Sequence, residues 1–243
     1  MLPYCTIPAV MESVGKCETS FGVVPIENSI EGPVGITLDS LAHDFDLKIY
    51  KEIIIPINQN LIVNNDAYIE DIENVYSHSQ ALSQCSKFLA KFNFKPHYAV
   101  STANAVKNII GDKSKAAIGN VKAAEIYGLK ILKENIQDTD NNETRFVVIS
   151  NSDHDSTGRD KTSIIFSIYE DEPGGLYDIL GIFKKNNINL TKIESRPSKA
   201  GLGKYMFFID FIGHRKDSII GNILDDIKEN TYFFKVLGSY PQF

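Results

Sequence analysis

No apolar run in this 243-residue chain is long enough to cross a membrane; Ile53-Ile54-Ile55 is stopped at once by Pro56. The leading residues, Met1-Leu2-Pro3-Tyr4-Cys5, lack the basic stretch and apolar segment of a secretory leader, so a cytoplasmic protein is expected. Cysteine is scarce. Cys5, Cys17 and Cys85 are odd in number and lack paired metal-ligand spacing, which favours reduced thiols over a disulfide framework or a metal centre. The five histidines are scattered, with no HExxH and no His–Cys cluster, and no metal is expected. Positive charge is in deficit: a net charge of -6 argues against the clustered basic face that nucleic-acid binding requires. GxGxxG, the phosphate-loop glycine–lysine pattern and the GxSxG elbow are all missing, and no cofactor is implied.

What is present is 43% hydrophobic and 23% charged, enough to bury substantial cores, in a chain long enough for two domains. From Phe21 to Ile149, short apolar runs alternate with helical patterns. Strands are expected at Phe21–Val24, Leu47–Ile55, Asn60–Val63, Val75-Tyr76, Tyr98–Val100, Ala116–Ile118 and Phe146–Ile149. Between them, helical faces are marked by Val34, Leu38 and Leu41, by Leu82, Cys85 and Leu89, by Ala103, Val106 and Ile109, and around Ala123–Tyr127. Such alternation argues for an α/β fold with mainly parallel sheets and helices on both faces. Ser150–Lys161 is almost devoid of apolar residues and reads as a linker. Beyond it, strands at Ser163–Tyr169, Asn189–Glu194, Lys204–Ile212 and Tyr232–Leu237 enclose two helices. One opens at Pro173 and carries Leu176, Ile179 and Phe183; the other carries Ile220, Ile223 and Ile227. This βαββαβ order is the ferredoxin-like arrangement, and it places domains at residues 1–150 and 162–240.

Four strand-to-helix junctions of the first domain carry small polar residues: Asn28-Ser29, Ser77-His78-Ser79-Gln80, Ser101-Thr102 and Gly119-Asn120. In an open α/β sheet, such junctions line the crevice beyond the carboxyl ends of the strands, and helix N-termini there suit an anion. None of them holds a lysine or arginine, so backbone and hydroxyl donors would dominate. Ser, Thr and Asn are also good N-caps, and any single junction reads as capping; four together point to a ligand cleft.

The motifs are more specific than the periodicity. Phe-Gly-Val-Val-Pro-Ile-Glu-Asn-Ser-Ile-Glu-Gly at 21–32 closely resembles the GVVPIENSxEG signature of prephenate dehydratases. Tyr76-Ser77-His78-Ser79-Gln80, continuing to Gln84-Cys85, is similar to that family's second block, with Ser79 where proline is usual. Ser101-Thr102-Ala103 resembles its STAxA helix start, and Asn142-Glu143-Thr144-Arg145-Phe146 its N-x-TRF block. Ala116-Ala117-Ile118-Gly119-Asn120 stands where the family often has AAIAS, which puts the role of Asn120 in question. In the second domain, Glu172-Pro173-Gly174-Gly175-Leu176 resembles the PGAL turn of ACT domains, and Glu194-Ser195-Arg196-Pro197 matches the ESRP motif of phenylalanine-regulated dehydratases. One family feature is missing, an opening strand and GPxGTFS loop entering a helix; the expectation is that it lies upstream of Met1.

The resemblance implies two α/β lobes like those of periplasmic binding proteins, a chain crossing near Ile57–Leu61 with return before Thr144, and conversion of prephenate to phenylpyruvate, water and carbon dioxide. It implies Thr144 near the departing hydroxyl, with Arg145, Glu27, Asn28 and Gln80 as its catalytic company and Ser29, His78, Thr102, Asn120 and Phe146 as substrate contacts. Several of these stay open. Arg145 would pair with a substrate carboxylate or hold its loop by an ion pair; Glu27 would donate a proton or form an ion pair; His78 would act as an acid or cap its helix; Phe146 would also suit the core. Phenylalanine is the implied effector, at Gly174, Gly175, Leu176, Asn189, Leu190, Glu194, Ser195, Arg196 and Pro197, in a homodimer or homotetramer. The competing reading is a non-catalytic amino-acid sensor.

Overall fold

The computed structural model describes residues 2–169, 173–199 and 203–243. The chain forms two compact units, Met1–Ile55 with Thr144–Phe243, and Pro56–Glu143. It therefore leaves the first unit after Ile55 and re-enters it at Thr144, the double crossing that a two-lobed domain requires.

In the first unit, α1 (Ile7–Gly15) starts where the Thr6 hydroxyl accepts from Ala9 N, with a proline in the first turn, and it buries Met11 and Val14. β1 (Gly22–Asn28) runs four residues past the expected Val24, with alternate residues buried. Asn28-Ser29 is consequently the end of a strand rather than the cap of a helix: β2 (Gly32–Pro33) intervenes before α2 (Gly35–Asp39). That helix widens into a π-type turn, Ser40–Asp44, and β3 (Lys48–Pro56) follows.

The second unit holds β4 (Asn60–Val63), β5 (Asn74–Ser77), α3 (Ser79–Gln84), α4 (Ser86–Lys91), β6 (Lys95–Tyr98), α5 (Thr102–Asn108), β7 (Lys115–Gly119), α6 (Val121–Tyr127) and β8 (Lys130–Lys133). The single helix expected through Leu82 and Leu89 is broken at Cys85, where Asp138 accepts from the Ser86 hydroxyl and Lys87 N and so starts a fresh helix. Strand order is β6-β5-β7-β4-β8. β5 runs parallel to β6 and β7, but β4 is antiparallel to both β7 and β8.

β9 (Glu143–Ser150) then completes a sheet ordered β2-β1-β9-β3, with β1 antiparallel to both neighbours. The expectation of mainly parallel sheets is thus corrected: alternating strand and helix patterns record order but not strand direction. Residues 151–159 form neither helix nor strand. They are nonetheless organised by Asp160, whose carboxylate accepts from Ser156, Thr157 and Gly158.

The C-terminal domain is β10 (Asp160–Ser167), α7 (Gly175–Lys185), β11 (Leu190–Pro197), β12 (Tyr205–Ile212), α8 (Ser218–Glu229) and β13 (Phe233–Pro241). Its strands lie in the order β11-β12-β10-β13, the βαββαβ pattern read from the sequence. Pro173 stands ahead of α7 rather than in its first turn; the N-cap is Gly174, at φ +100°. One sheet face packs Ile164, Phe166 and Phe211 against Ile179, Phe183 and Ile223 of the helices. The other face is largely covered as well. Ile165, Met206, Phe208 and Tyr240 share a core with Val24, Leu41, Ile49 and Val147 of the first lobe.

The two sheets approach closely at Gly238, where φ is +148° and an added Cβ would overlap the backbone of Ile49. Gly238→Ala is therefore expected to cost about 2 kcal/mol or more, a fall in Tm of about 4 °C or more, measured by thermal denaturation. Cys85 is buried, and burial pushes its thiol up to about 12, whereas Cys5 and Cys17 are exposed. A thiol reagent at neutral pH should label Cys5 and Cys17 in the native protein, and Cys85 only after unfolding.

Candidate active site

In the first unit, the ends of β1 and β9 lie side by side with Asn28 opposite Thr144. The Asn28 side chain is oriented by its own backbone: Oδ1 accepts from Ile30 N and Glu31 N, both at 3.0 Å. Those donors leave no choice about which end of the amide is which. Nδ2 must therefore point at Thr144 Oγ1, 3.0 Å away, and must donate to it. The threonine oxygen is the acceptor in this bond, so its own hydrogen is directed elsewhere. Thr144 is half-buried and Ser29, next to Asn28, is exposed.

Arg145 sits opposite Glu27 in the same ladder, and its guanidinium is committed inside the unit. Nε donates to Glu52 Oε2 at 2.8 Å, Nη1 to Asp210 Oδ2 at 2.6 Å, and Nη2 to Tyr240 OH at 2.8 Å. Glu52 also accepts from Lys161 Nζ and Phe243 N, and Ser163 Oγ bridges Asp210 at 2.5 Å and Tyr240 at 2.6 Å. Burial works against the arginine's charge, but Asp210 and Glu52 outweigh it and hold the group above its ordinary value. The same burial, followed by Asp210, raises Tyr240 and keeps its phenol neutral. Of the two roles open to Arg145 from sequence, this geometry is that of the ion pair. Glu27 is also drawn into ion pairs, with Oε2 3.7 Å from Arg145 Nη1 and 2.8 Å from Lys192 Nζ. The lysine contact is close but off the direction of a hydrogen bond. Phe146 is half-buried and belongs to none of the core clusters, so the core reading of it fails.

In the second unit, the junctions behave as helix starts. His78 is exposed and caps α3, its Nδ1 accepting from Gln80 N at 3.4 Å, while Gln80 is half-exposed. Ser101 caps α5 ahead of a half-buried Thr102, and the exposed Asn120 caps α6 through Ala123 N at 2.8 Å. Two buried residues of the same region went unassigned from sequence. Ser77 is fully buried and donates to Ile118 O at 2.8 Å. Gln84 is buried with Oε1 accepting from Asn142 Nδ2 at 2.9 Å and from Gln59 Nε2 at 3.4 Å, yet its own Nε2 has no partner. A buried amide donor without an acceptor costs about 1–3 kcal/mol, which singles Gln84 out. The signal in the sequence was a polar residue set among Ala81, Leu82 and Cys85 on the apolar face of a helix.

In the C-terminal domain, Gly174, Gly175 and Leu176 open α7, while Glu194, Ser195, Arg196 and Pro197 lie along β11, the edge strand, with Asn189 just ahead of Leu190 at its start. Among the described residues, no group of three or more His, Cys, Asp or Glu is placed to hold a metal ion, and no helix is long and apolar enough to cross a membrane.

Known proteins resemble this chain across both of its domains. The family model for prephenate dehydratase matches residues 1–154, and that for the ACT domain residues 162–229. The chain is 46% identical over 243 residues to the bifunctional chorismate mutase/prephenate dehydratase of Aquifex aeolicus, an alignment covering 99% of this chain and 66% of that protein. It is 43% identical over 249 residues to the prephenate dehydratase of Methanocaldococcus jannaschii, covering 100% of this chain and 88% of the relative. The crystal structure of prephenate dehydratase from Arthrobacter aurescens in complex with L-Phe superimposes with a TM-score of 0.89 at 34% identity, over 99% of this chain and 81% of that one. The chain spans just under two thirds, 66%, of the bifunctional relatives it matches. From the pairing of its Glu27-Asn28 strand with Thr144-Arg145 to its βαββαβ partner, the chain belongs to the prephenate dehydratase family and carries an ACT domain.

Proposed function

We propose that this protein converts prephenate to phenylpyruvate and that phenylalanine restrains it through the ACT domain. It would act in the cytoplasm as a carbon–oxygen lyase. The chemistry asks for little beyond binding and one proton. Carbon dioxide departs from the ring carboxylate and leaves its electron pair in the ring; the opposite carbon expels its oxygen as hydroxide, which takes up a proton to become water; the ring becomes aromatic. What the protein must supply is a grip on a dianion and a donor at the departing oxygen.

The observation that carries the reading is the direction of the Asn28–Thr144 bond. An oxygen that already accepts from an amide is a better donor through its own hydrogen, because each bond polarises the next. Thr144 is therefore the group aimed at the leaving hydroxyl, and Asn28 positions and polarises it. The unpartnered Nε2 of Gln84 supports a second role, donation to a substrate oxygen. Ser29, Gln80, Thr102, Asn120 and Phe146 stay in the reading as substrate contacts, with His78 as a cap that presents the start of α3. Arg145 becomes a supporting group whose charge is already used inside the protein. For phenylalanine, the side-chain-free turn at Gly174-Gly175 offers backbone donors, and β11 supplies Glu194, Ser195, Arg196 and Pro197. The open edge of β11 supports an even-numbered homo-oligomer, a homodimer or homotetramer, with that edge covered.

Phenylpyruvate formation followed by ultraviolet absorbance tests these roles. Thr144→Ala should lower kcat by about 10²–10⁴-fold with the fold intact, Thr144→Ser should recover part of the loss, and Gln84→Leu should weaken prephenate binding. Full turnover by Thr144→Ala would remove the threonine from the mechanism, and prephenate binding without turnover in the unaltered protein would favour the sensor. Arg145→Met should behave differently: it strands Glu52 and Asp210 in the interior and should cost stability first, about 3–5 kcal/mol by urea denaturation. If the variant kept normal stability and lost only affinity for prephenate, Arg145 would be a substrate ligand after all.

A further inference from the structure

The strand expected to sense phenylalanine is tied by ion pairs to the segment that carries Asn28. Lys192, in the middle of β11, lies 2.8 Å from Glu27 Oε2. Four residues along the same face, Arg196 Nε donates to Asp39 Oδ1 at 3.0 Å, with Lys199 Nζ at 3.3 Å from the other oxygen of that carboxylate. Burial opposes ionisation of Asp39, but Arg196 and Lys199 overcome it and hold the carboxyl below its ordinary range. The guanidinium of Arg196 also lies flat over the backbone at the start of α2: an added Cβ on Gly35 would stand 2.7 Å from its Nη2. Both contacts are made by a strand with only one neighbour in its sheet, β12. Within the subunit, one hydrogen-bonded ladder has to follow when such a strand shifts.

We propose that Lys192 and the Arg196–Asp39 pair are positioning residues that carry the phenylalanine signal within one subunit, from β11 to the Asn28–Thr144 bond. The inference rests on the dehydratase and phenylalanine reading above. Glu27 and Asn28 are consecutive residues of β1, paired in register with Arg145 and Thr144 of β9. A displacement of β11 pulls on Glu27 through Lys192 and on α2 through Arg196. Residues 29–34 connect these two anchors in the chain, so the turn that orients the Asn28 amide is held at both ends by the ACT strand. A small shift there is enough to misalign a 3.0 Å hydrogen bond whose direction matters. Neither Lys192 nor Asp39 is assigned to substrate or to phenylalanine, so their removal separates transmission from binding.

The test uses the full chain with Lys192→Met and Asp39→Asn, measuring phenylpyruvate formation across a phenylalanine titration and phenylalanine binding by calorimetry. Both variants should keep uninhibited turnover within about twofold of the parent and bind phenylalanine, yet lose roughly fivefold or more of its effect on the rate. Gly35→Ala, which crowds Arg196 without altering a charge, should move the response in the same way. If both charge variants bind phenylalanine and are inhibited like the parent, the tether is wrong while the dehydratase reading stands. If Lys192→Met no longer binds phenylalanine, Lys192 is a ligand of the effector and the transmission role is likewise lost. A parent protein that is inert toward prephenate would sink the functional reading and this inference with it.

Discussion

A guanidinium taken out of water is stable only where anions and acceptors meet it on every side, and Arg145 is the point at which this chain meets that demand. Its three nitrogens reach Glu52 on β3, Asp210 on β12 and Tyr240 on β13. Those groups come from both sheets of the first unit, so the cluster fixes their register against one another. The residue next in the chain, Thr144, inherits its place from that register: a strand pinned by a multiply bonded arginine cannot slide. The apolar core around Val24, Ile165, Met206 and Phe208 supplies the bulk of the driving force, but it is indifferent to small translations. The ionic cluster supplies the position.

Polar groups are handled in two contrasting ways, one in each unit. Asn28 has its carbonyl oxygen saturated by backbone donors, and the direction of its bond to Thr144 follows by elimination. Gln84 is held by its oxygen through Asn142 and Gln59, while its nitrogen is left bare in the interior. The first arrangement leaves the hydroxyl hydrogen of Thr144 outside the bond to Asn28, and the second stores an unmet donor. In the proposed reaction, an anion bound by neutral amides and hydroxyls avoids a tight ion pair with lysine or arginine, which would stabilise the substrate as much as the transition state.

Much of this was legible in the sequence, because it was carried by local chemistry. The βαββαβ order and the β4 strand at Asn60–Val63 were readable from period and residue type, and the family from its motifs. Non-local facts were not. The partners of Arg145 lie 93, 65 and 95 residues away, and nothing in the pattern of a single chain joins them. Asn28 looked like a helix cap because Asn before Ser is a capping pair, yet the strand continued through Pro25 and put it to another use. β8 was missed because Lys130-Ile131-Leu132-Lys133 has only two apolar residues, too few for a strand signal, and its existence depends on β4 beside it. The break at Cys85 was hidden for the same reason, since Asp138, which starts the second helix, is remote in sequence.

The linker at residues 151–159 is a seam in the sequence that the fold does not respect. On one side of it, Lys235 of β13 gives its ammonium to the carbonyls of Leu41 and Phe45, within and just after the wide turn that follows α2; on the other, Phe45 N donates to Ser40 O across that same turn. Burial lowers the proton affinity of this lysine, a cost accepted for finishing another domain's helix. Regulatory modules are often pictured as cassettes, gained and shed whole between genes. A module that lends its neighbour a helix end and half a hydrophobic interior has given up that portability, and any lineage inheriting this chain would have to keep both parts or rebuild the surface between them.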